Sequence, residues 1–353
     1  MRDLQWMEGW FRERFPRHPY VYFGLSGATL LHDAIRAQSQ SRFVLPAYIC
    51  PSLSAMGAAA GKLLIHIEVD PRTLHPAPQE MGHEDAIVLI DHSFGYPFGG
   101  IAEVRRLFPK LLLIEDCARA LGVEIGGELP GRHSDWILFS MYKTVRGSRS
   151  GAVLLANAPL SIPRDGRRGS VSMKERAGTF GPARFLYHQM LQRRALFEAR
   201  PLAAAPDFEI QRGLPSELCA SRFIRELRDL EKRARMRREI AAELTGGLSR
   251  IPCVVPVQAA EGCSPAAHFV SFALQKGSRD QMITKLYRRG LFVMRTWDIV
   301  PGNYESLQST FVRPPGASLE LASRMAHIPI DYFENASERE RLLATLPGLI
   351  HFV

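Results

Sequence analysis

One lysine, Lys143, follows a short apolar stretch and could act as a nucleophile. Residues 136–139 are apolar, and Ser140 and Lys143 come directly after them. A lysine at a strand end in an enclosed cleft can form a Schiff base, because desolvation and neighbouring charges lower the pKa of its amino group. A solvated surface lysine is the alternative for any single lysine.

Two adjacent acids, Glu115 and Asp116, close another apolar stretch. A strand that ends in this way leaves at least one carboxylate at the mouth of a sheet. Burying a carboxylate there is costly unless a cation or a protonated ring nitrogen meets it. We therefore expect a positively charged group to lie against this strand end.

A third segment has the character of an anion site. Ser26, Gly27 and Ala28 come directly before the helical stretch 30–37. Small residues at the start of a helix leave backbone N–H groups free to point at an anion, and the helix dipole favours negative charge there. An ordinary capped helix is the alternative. A fourth segment, the turn HSFGYP at 92–97, follows the apolar run AIVLI.

The elements around these segments alternate short apolar runs with stretches of helical period between residues 20 and 157. This alternation predicts an α/β domain with a large, mostly parallel sheet and helices on both faces. Such sheets bind ligands at the carboxyl ends of their strands, where all four segments fall. The predicted strands are 43–45, 63–69, 86–90, 111–114, 136–139 and 152–156.

The rest of the chain is organised differently. Residues 159–215 are basic and rich in Ala-Pro segments, and we expect a partly helical excursion there. One long helix is predicted for 216–248, with Ser216 near its start and Gly246-Gly247 as its stop. A smaller α+β unit follows. The division expected is a large domain over 1–215 and a smaller one over 216–353, with strands at 253–257, 268–274 and 291–294 and a helix at 279–289.

Composition limits the classes of protein that fit. The 353 residues are 46% hydrophobic and carry 45 Lys+Arg against 36 Asp+Glu, a net charge of +9. The basic residues are scattered and no nucleic-acid-binding motif accompanies them, so a nucleic-acid partner is not expected. Nor is a membrane partner, because no apolar run approaches the length of a spanning helix. The five cysteines form no close pair, and there is no secretory signal, so we expect a cytoplasmic protein.

Together the four segments resemble the DegT/DnrJ/EryC1/StrS family of pyridoxal-phosphate aminotransferases, within fold type I. SGATLL is similar to the family's phosphate loop, HSFGYP to its His-x-Tyr-Gly-x-Pro, and EDCARALG to its Glu-Asp-x-x-Gln-x-x-Gly. LPAYICPSLSAM resembles its strand and aromatic-bearing turn, and FSMYK its lysine segment. The match covers residues 20–156 in good order and the remainder loosely. It implies the fold-type-I architecture and the cofactor pyridoxal 5′-phosphate.

The resemblance assigns the two catalytic roles. Lys143 would hold the cofactor covalently and, once displaced by the amino donor, would move a proton between the donor Cα and the cofactor. Asp116 would pair with the pyridine nitrogen and keep it protonated, which lets the ring withdraw electrons.

The resemblance also assigns the remaining contacts to the cofactor. Ser26, Gly27 and Ala28 would bind its phosphate through backbone and hydroxyl donors, with Ser140 beside them. Tyr48 is the candidate for the aromatic side chain that stacks on the pyridine ring. Cys50 occupies a nearby position in the same turn, and a core tyrosine is the alternative for Tyr48.

Several positions depart from the family pattern. Arg119 stands where the family has a glutamine near the phenolic oxygen of the cofactor, so it would also lie at the cofactor, and it is open whether it contacts substrate or tunes the cofactor. Ala28 replaces a threonine of the phosphate loop. The motif through which a neighbouring subunit commonly reaches the phosphate reads RGLPS at 212–216. These departures leave the usual nucleotide-sugar substrate open.

Four residues are candidates for substrate contacts. His92 lies in the turn after a strand, and Arg149 belongs to a basic cluster near the proposed site. Arg295 would suit a carboxylate, and Trp297 an apolar or ring-shaped part of the substrate. No metal site is expected, because paired histidines with a third acidic ligand are not found at usable spacing.

The implied activity is transfer of an amino group, with L-glutamate as the expected donor, to a keto group of a nucleotide-linked sugar or a related secondary metabolite. A homodimer with active sites at the interface is implied as well. One alternative is an enzyme of the same fold with a non-sugar substrate or a dehydrating reaction, although dehydrating members tend to carry histidine in place of Lys143. Another is a catalytically silent protein that binds the cofactor.

Overall fold

A computed structural model describes residues 2–145, 150–163, 165–170 and 207–350. Its largest element is a seven-stranded sheet with the order β1-β8-β7-β5-β4-β2-β3. The strands of this half, in chain order, are β1 (Tyr20–Gly24), β2 (Arg42–Pro46), β3 (Leu63–Ile67), β4 (Ala86–Asp91), β5 (Leu112–Cys117), the short β6 (Glu124–Ile125) outside the large sheet, β7 (Trp136–Ser140) and β8 (Ala152–Ala156).

The directions of these strands decide where the site can form. Strands β3, β2, β4, β5 and β7 are parallel, whereas β8 runs opposite to both β7 and β1. Strand β1 therefore runs in the same direction as β7. The carboxyl ends of β1, β4, β5 and β7 all lie at one edge of the sheet.

Helices cover both faces of this sheet. On one face, Leu31 and Met56 pack with Leu89 and Leu138 of the sheet. On the other, Phe11 packs with Phe139 in a second cluster. The helices in chain order are α1 (Arg2–Arg14), α2 (Gly27–Arg36), α3 (Pro51–Ala59), α4 (Ile101–Leu107), α5 (Met141–Thr144), α6 (Glu217–Arg228) and α7 (Leu230–Leu248), and single 3-10 turns lie at Pro78–Met81 and Ser93–Gly95.

A second sheet lies in the C-terminal part. Its strands are antiparallel in the order β12-β11-β9, and β10 pairs instead with β6. A separate cluster that includes Phe272, Ile328 and Leu346 forms its core. The elements in chain order are β9 (Val254–Pro256), β10 (Cys263–Ser264), β11 (Phe269–Leu274), α8 (Arg279–Arg288), a 3-10 turn Pro301–Asn303, α9 (Glu305–Gln308), α10 (Ala317–Arg324), β12 (Met325–Pro329), a 3-10 turn Ile330–Tyr332 and α11 (Ala336–Ile350).

The structure confirms the predicted fold class and corrects several elements. The strand at 291–294 was wrong: Met294 makes only an isolated bridge to His327, and the third strand of the small sheet is β12. The single long helix is also wrong, because α6 ends at Arg228 and α7 begins at Leu230, with Asp229 between them at φ −101° and ψ 11°. Ser216 caps α6, accepting a hydrogen bond from the N–H of Cys219 at 3.1 Å. Strand β1 was not predicted.

Most of the basic excursion at 159–215 lies outside the described residues. Its described parts contain a bridge between Arg168 and Leu214. The boundary between domains at residue 215 stays a prediction. None of the helices in the described ranges is long and apolar enough to cross a membrane.

Buried histidines make the stability of this fold sensitive to acid. Burial lowers the pKa of His66 to about 4 and that of His268 to about 3. As the pH falls below about 6.5, the unfolded chain therefore takes up protons before the folded chain does. The stability that these groups contribute is fully present above that pH and is lost as the pH falls toward the folded-state values.

We expect His66→Gln to flatten this dependence. His66 hydrogen-bonds to Ser54 Oγ at 2.8 Å and Thr310 Oγ1 at 2.6 Å. Urea unfolding from about pH 7.5 to pH 5 should give a slope reduced by up to about 1.4 kcal/mol per pH unit. Ser54→Ala is the matched control, since it removes one hydrogen bond and no proton-binding group. Equal slopes for wild type and His66→Gln would contradict the prediction.

Candidate active site

A cavity of about 350 Å³ opens at the edge of the large sheet where β1, β4, β5 and β7 end. It collects most of the residues that the sequence singles out. Its walls also include four residues that follow the undescribed stretch and two from the start of α3: Asp207, Phe208, Glu209, Gln211, Ser52 and Leu53. The lining residues used below are Ser26, Gly27, Ala28, Cys50, Asp91, Phe94, Asp116, Arg119, Leu138, Ser140, Lys143 and Trp297.

Lys143 reaches the cavity from the one-turn helix α5. The turn is fixed at both ends: Met141 donates its N–H to Gly151 O at 2.8 Å, and the Thr144 hydroxyl donates to Ser140 O at 2.8 Å. The Lys143 ammonium lies 5.9 Å from the centre of the Tyr142 ring. A short, anchored turn thus carries the amine into the cavity directly after strand β7.

The start of α2 forms one wall. Ser26 caps the helix, and its hydroxyl accepts from the N–H of Thr29 at 3.5 Å. Gly27 packs closely on the sheet, since an added Cβ would lie 3.2 Å from the Leu138 side chain. The buried Ser140 hydroxyl has no hydrogen-bond partner among the described residues. Free helix N–H groups beside an unused hydroxyl donor form a cradle for an anion such as a phosphate.

Two carboxyl groups lie side by side on the sheet. Asp91 and Asp116 are directly paired on parallel strands β4 and β5, so their side chains emerge on the same face. Asp116 Oδ1 accepts from the N–H of Ala118 at 2.9 Å, and Asp91 accepts from the Ser93 hydroxyl. Burial and the neighbouring Asp116 charge raise the pKa of Asp91 to about 7. Asp116 is therefore the carboxylate available to a ring nitrogen, and Asp91 carries a proton below neutral pH.

Asp91 was not predicted from the sequence. The signal was present, since an aspartate closes the apolar run AIVLI just as Asp116 closes the next strand. The turn after it drew attention to His92 instead.

Tyr48 lies beneath the cavity. Its side chain is fully buried, its ring centre is 5.5 Å from that of Trp297, and its hydroxyl donates to Thr296 O at 3.5 Å. Burial raises the pKa of Tyr48 well above its usual value. Cys50, two residues later, lines the cavity. The turn therefore presents Cys50 where the sequence analysis favoured Tyr48, and the core interpretation of Tyr48 fits its burial.

His92 does not line the cavity either. Its Nε2 lies 2.9 Å from Glu115 Oε2, and its Nδ1 accepts from the N–H of Phe98 at 3.0 Å. Burial alone would raise the pKa of Glu115, but the hydrogen bonds from His92, Ser134 and Gly131 outweigh it and hold that pKa below the usual value. Both ring nitrogens of His92 are thus used inside the protein, which leaves none for a substrate.

Of the other residues predicted to contact substrate, one lines the cavity, one does not, and one lies outside the described residues. Trp297 lines the cavity, and its ring centre lies 4.5 Å from that of Phe94. Arg295 is turned away and forms ion pairs with Asp280 at 2.9 Å and Asp298 at 3.5 Å. Arg149 lies outside the described residues. In the described ranges, no three His, Cys, Asp or Glu side chains are grouped so as to hold a metal ion.

Arg119 enters the cavity from the loop after β5. Its guanidinium carbon lies 5.5 Å from the centre of the Phe94 ring and 5.0 Å from that of Phe269. Its Nε is buried and has no hydrogen-bond partner among the described residues. Burial lowers the pKa of Arg119, and the group remains a cation.

These residues fit a cofactor with an aldehyde, a protonated ring nitrogen and a phosphate. The α2 cradle with Ser140 suits the phosphate, Asp116 suits the ring nitrogen, and the amine of Lys143 suits the aldehyde. Each group is supplied by a different element, and all three line one cavity.

Comparison with known proteins supports the fold. No protein-family model matches the sequence, and no curated protein matches it. Solved structures do match. A DegT/DnrJ/EryC1/StrS aminotransferase from Brucella abortus has a TM-score of 0.72 at 15% identity, covering 99% of this chain and 90% of its own.

Two further structures match over similar lengths. The sugar aminotransferase CalS13 from Micromonospora echinospora has a TM-score of 0.69 at 18% identity, covering 98% of this chain and 91% of its own. The GDP-4-keto-6-deoxy-D-mannose-3-dehydratase of E. coli, with bound hydrated PLP, has a TM-score of 0.69 at 16% identity and the same coverage. The fold expected from the resemblance is therefore confirmed.

The protonated state of Asp91 gives a prediction for the cofactor-free protein. A carboxyl whose pKa is raised on folding loses its proton first in the unfolded chain, so stability falls as the pH rises from about 4 to about 7. We expect Asp91→Asn to remove this fall and to gain stability relative to wild type at about pH 8.

Urea unfolding at about pH 5 and about pH 8 measures the effect. The matched control is Asp135→Asn. This substitution also removes a carboxyl group, but Asp135 is half-buried and pairs with Arg105 at 2.7 Å, whereas Asp91 lies beside another acid. A pH profile of Asp91→Asn that is parallel to that of the wild type would show that the Asp91 carboxyl is ionised in the fold.

Proposed function

We propose that this protein is a pyridoxal-phosphate-dependent aminotransferase of the DegT/DnrJ/EryC1/StrS type. The proposal is supported above all by one observation: Lys143, Asp116 and the start of α2 line the same cavity at the carboxyl edge of the sheet. A bound molecule can meet an amine, a carboxylate and an anion cradle at once only where such groups converge.

In this proposal the phosphate of the cofactor lies at the start of α2. Ser26, Gly27 and Ala28 provide backbone donors there, and the unpartnered Ser140 hydroxyl provides another. The dipole of a ten-residue helix adds to these hydrogen bonds. Ala28 lacks the hydroxyl that the family's threonine supplies, so Ser140 carries more of the binding.

Asp116 holds the proton on the ring nitrogen. Its Oδ1 is already fixed by the N–H of Ala118, which leaves the other oxygen for the ring. When bound, pyridoxal phosphate supplies an electron-withdrawing ring that acidifies the α-hydrogen of an amino acid. Asp116 keeps that ring in its charged form because a carboxylate stabilises the pyridinium by ion pairing.

Lys143 has two tasks in sequence. Its Nζ would hold the cofactor covalently until an amino donor takes its place. The amine of Lys143, once free, would be the base that holds and moves the proton of the donor Cα. The anchored turn of α5 keeps Nζ at the same side of the cavity for both tasks.

We propose L-glutamate as the donor and a keto group of a nucleotide-linked sugar, or of a related secondary metabolite, as the acceptor. The structural likeness to a sugar aminotransferase supports this substrate class. An enzyme with a non-sugar acceptor is the second candidate, favoured by the presence of Arg119 in the cavity where the family has a neutral glutamine.

A spectrum tests the proposal. Purified protein with added pyridoxal phosphate is expected to be yellow, and borohydride should fix the label to Lys143. Lys143→Ala should abolish both, whereas the exposed Lys110→Ala should not. L-Glutamate should then bleach the yellow band, because the amino group moves onto the cofactor.

Two results would contradict the proposal in different ways. A protein that stays colourless with excess cofactor does not bind it, and the function fails. A protein that turns yellow and responds to no amino donor is a silent cofactor-binding protein.

We also propose a cytoplasmic homodimer, which rests on the resemblance and on five free cysteines. Arg212, from the motif that commonly crosses to the partner, forms a two-pronged ion pair with Asp33 of its own chain at 2.8 and 3.0 Å. Dimerisation is therefore expected to survive Arg212→Gln. Sedimentation velocity measures it, and a wild type that is monomeric at every concentration would contradict the proposal.

A further inference from the structure

Arg119 is a partly buried cation that is influenced by the charges of Asp91 and Asp116 and forms an ion pair with neither. Aromatic rings flank it: Phe94 and Phe269 lie 5.5 and 5.0 Å from its guanidinium carbon. Its Nε is buried and has no hydrogen-bond partner among the described residues. Aromatic rings stabilise the charge but do not satisfy the N–H donors.

Arg237 is a buried arginine with a different environment. It is 3% exposed and pairs with Glu226 at 2.8 Å, although its Nε and Nη1 have no hydrogen-bond partner among the described residues. A charge that leaves water without an ion partner costs free energy. The fold supplies that partner for Arg237, and at Arg119 it supplies an open cavity.

Four carboxyl groups line the cavity, and none of them forms an ion pair with Arg119. Asp116 is assigned to the ring nitrogen and accepts from Ala118. Asp91 accepts from Ser93 and sits beside Asp116. Asp207 and Glu209 are exposed to solvent. The buried Nε–H of Arg119 is thus left for a group that enters from outside.

We propose that Arg119 binds a carboxylate of one of the two reacting molecules, the amino donor or the keto acceptor. The inference rests on the proposed function, because it names the substrate class of the same cavity. A guanidinium held between rings presents its edge, and a carboxylate can accept two parallel hydrogen bonds from that edge. Trp297, packed on Phe94, walls the same side of the cavity.

Glutarate is the probe. It carries two carboxylates and has neither an amino nor a keto group, so it cannot react with the cofactor. Isothermal titration of the cofactor-loaded protein is expected to give binding that falls at least about tenfold in Arg119→Gln, the loss of one charge-assisted hydrogen bond. Arg119→Lys should retain part of the affinity, because the charge is kept. Glutaramide, the neutral analogue, should bind wild type and Arg119→Gln equally.

Arg238→Gln is the matched control. Arg238 faces Glu124 at 3.5 Å and does not line the cavity, so the same substitution there should leave glutarate affinity unchanged. If Arg119→Gln fails to fold, Arg119→Lys still tests the inference, because it keeps a positive charge beside the two rings.

The carboxylate that Arg119 binds could belong to the amino donor or to the keto acceptor. Single-turnover kinetics with L-glutamate distinguish the two. If Arg119→Gln raises the glutamate concentration for half-maximal bleaching, the carboxylate belongs to the donor. If it weakens glutarate without affecting glutamate, the carboxylate belongs to the acceptor. Both outcomes support the inference.

Unchanged glutarate affinity in Arg119→Gln, or no glutarate binding to wild type, would overturn it. A shift in the absorption of the bound cofactor without a change in glutarate affinity would likewise overturn it and assign Arg119 to the cofactor. The yellow colour reports separately on the proposed function, because cofactor loading at Lys143 is measured in the same samples. Failure to load the cofactor would sink the function, whereas loading without carboxylate recognition would sink only this inference.

Discussion

The site depends on one buried carboxylate, Glu115, that lies outside the cavity. It receives hydrogen bonds from His92 at 2.9 Å, Ser134 Oγ at 2.6 Å and the N–H of Gly131 at 2.7 Å. These bonds tie the turn after β4 and the loop before β7 to the middle strand between them. An unpaired carboxylate in this place would cost several kcal/mol. Because the network is closed, the turn at the carboxyl end of β4 is held against β5 and against the loop that leads into β7.

The cavity carries an unusual balance of charge. Relative to the family pattern, it gains a cation, Arg119, and the structure adds a second acid, Asp91, beside Asp116. Asp91 retains its proton below neutral pH, so the added acid does not cancel the added cation. At the position of Arg119 the cavity has one positive charge more than the family pattern, with the exposed carboxylates of Asp207 and Glu209 also among its lining residues. In this cavity, part of the excess positive charge of the chain is available to bind a small anionic ligand rather than a nucleic acid.

The sequence was most informative where burial is complete. Strands such as β4 and β5, covered on both faces, are near-continuous apolar runs, and their order and type could be predicted. Asp116, Ser140 and Lys143 could be found because each ends such a run or follows it within four residues, and Ser26 because small residues there begin a helix. The sequence could not decide whether Tyr48 or Cys50 lines the cavity. The two residues lie in one turn, and only its backbone conformation determines which side chain points to the cavity. Strand β1 was missed because its aromatic sequence, YVYFG, is half-buried and pairs with a strand far along the chain.

The adjacency of Glu115 and Asp116 has a consequence for how β5 finds its place during folding. Successive side chains of a strand point to opposite faces, so a shift of one residue would exchange the two acids. The shorter Asp116 would then enter the closed network and leave His92 without its partner, while Glu115 would face the cavity. Both errors leave polar groups unsatisfied, so the mispaired sheet is penalised twice. The different lengths of the two neighbouring acids thus favour a single register of strand β5.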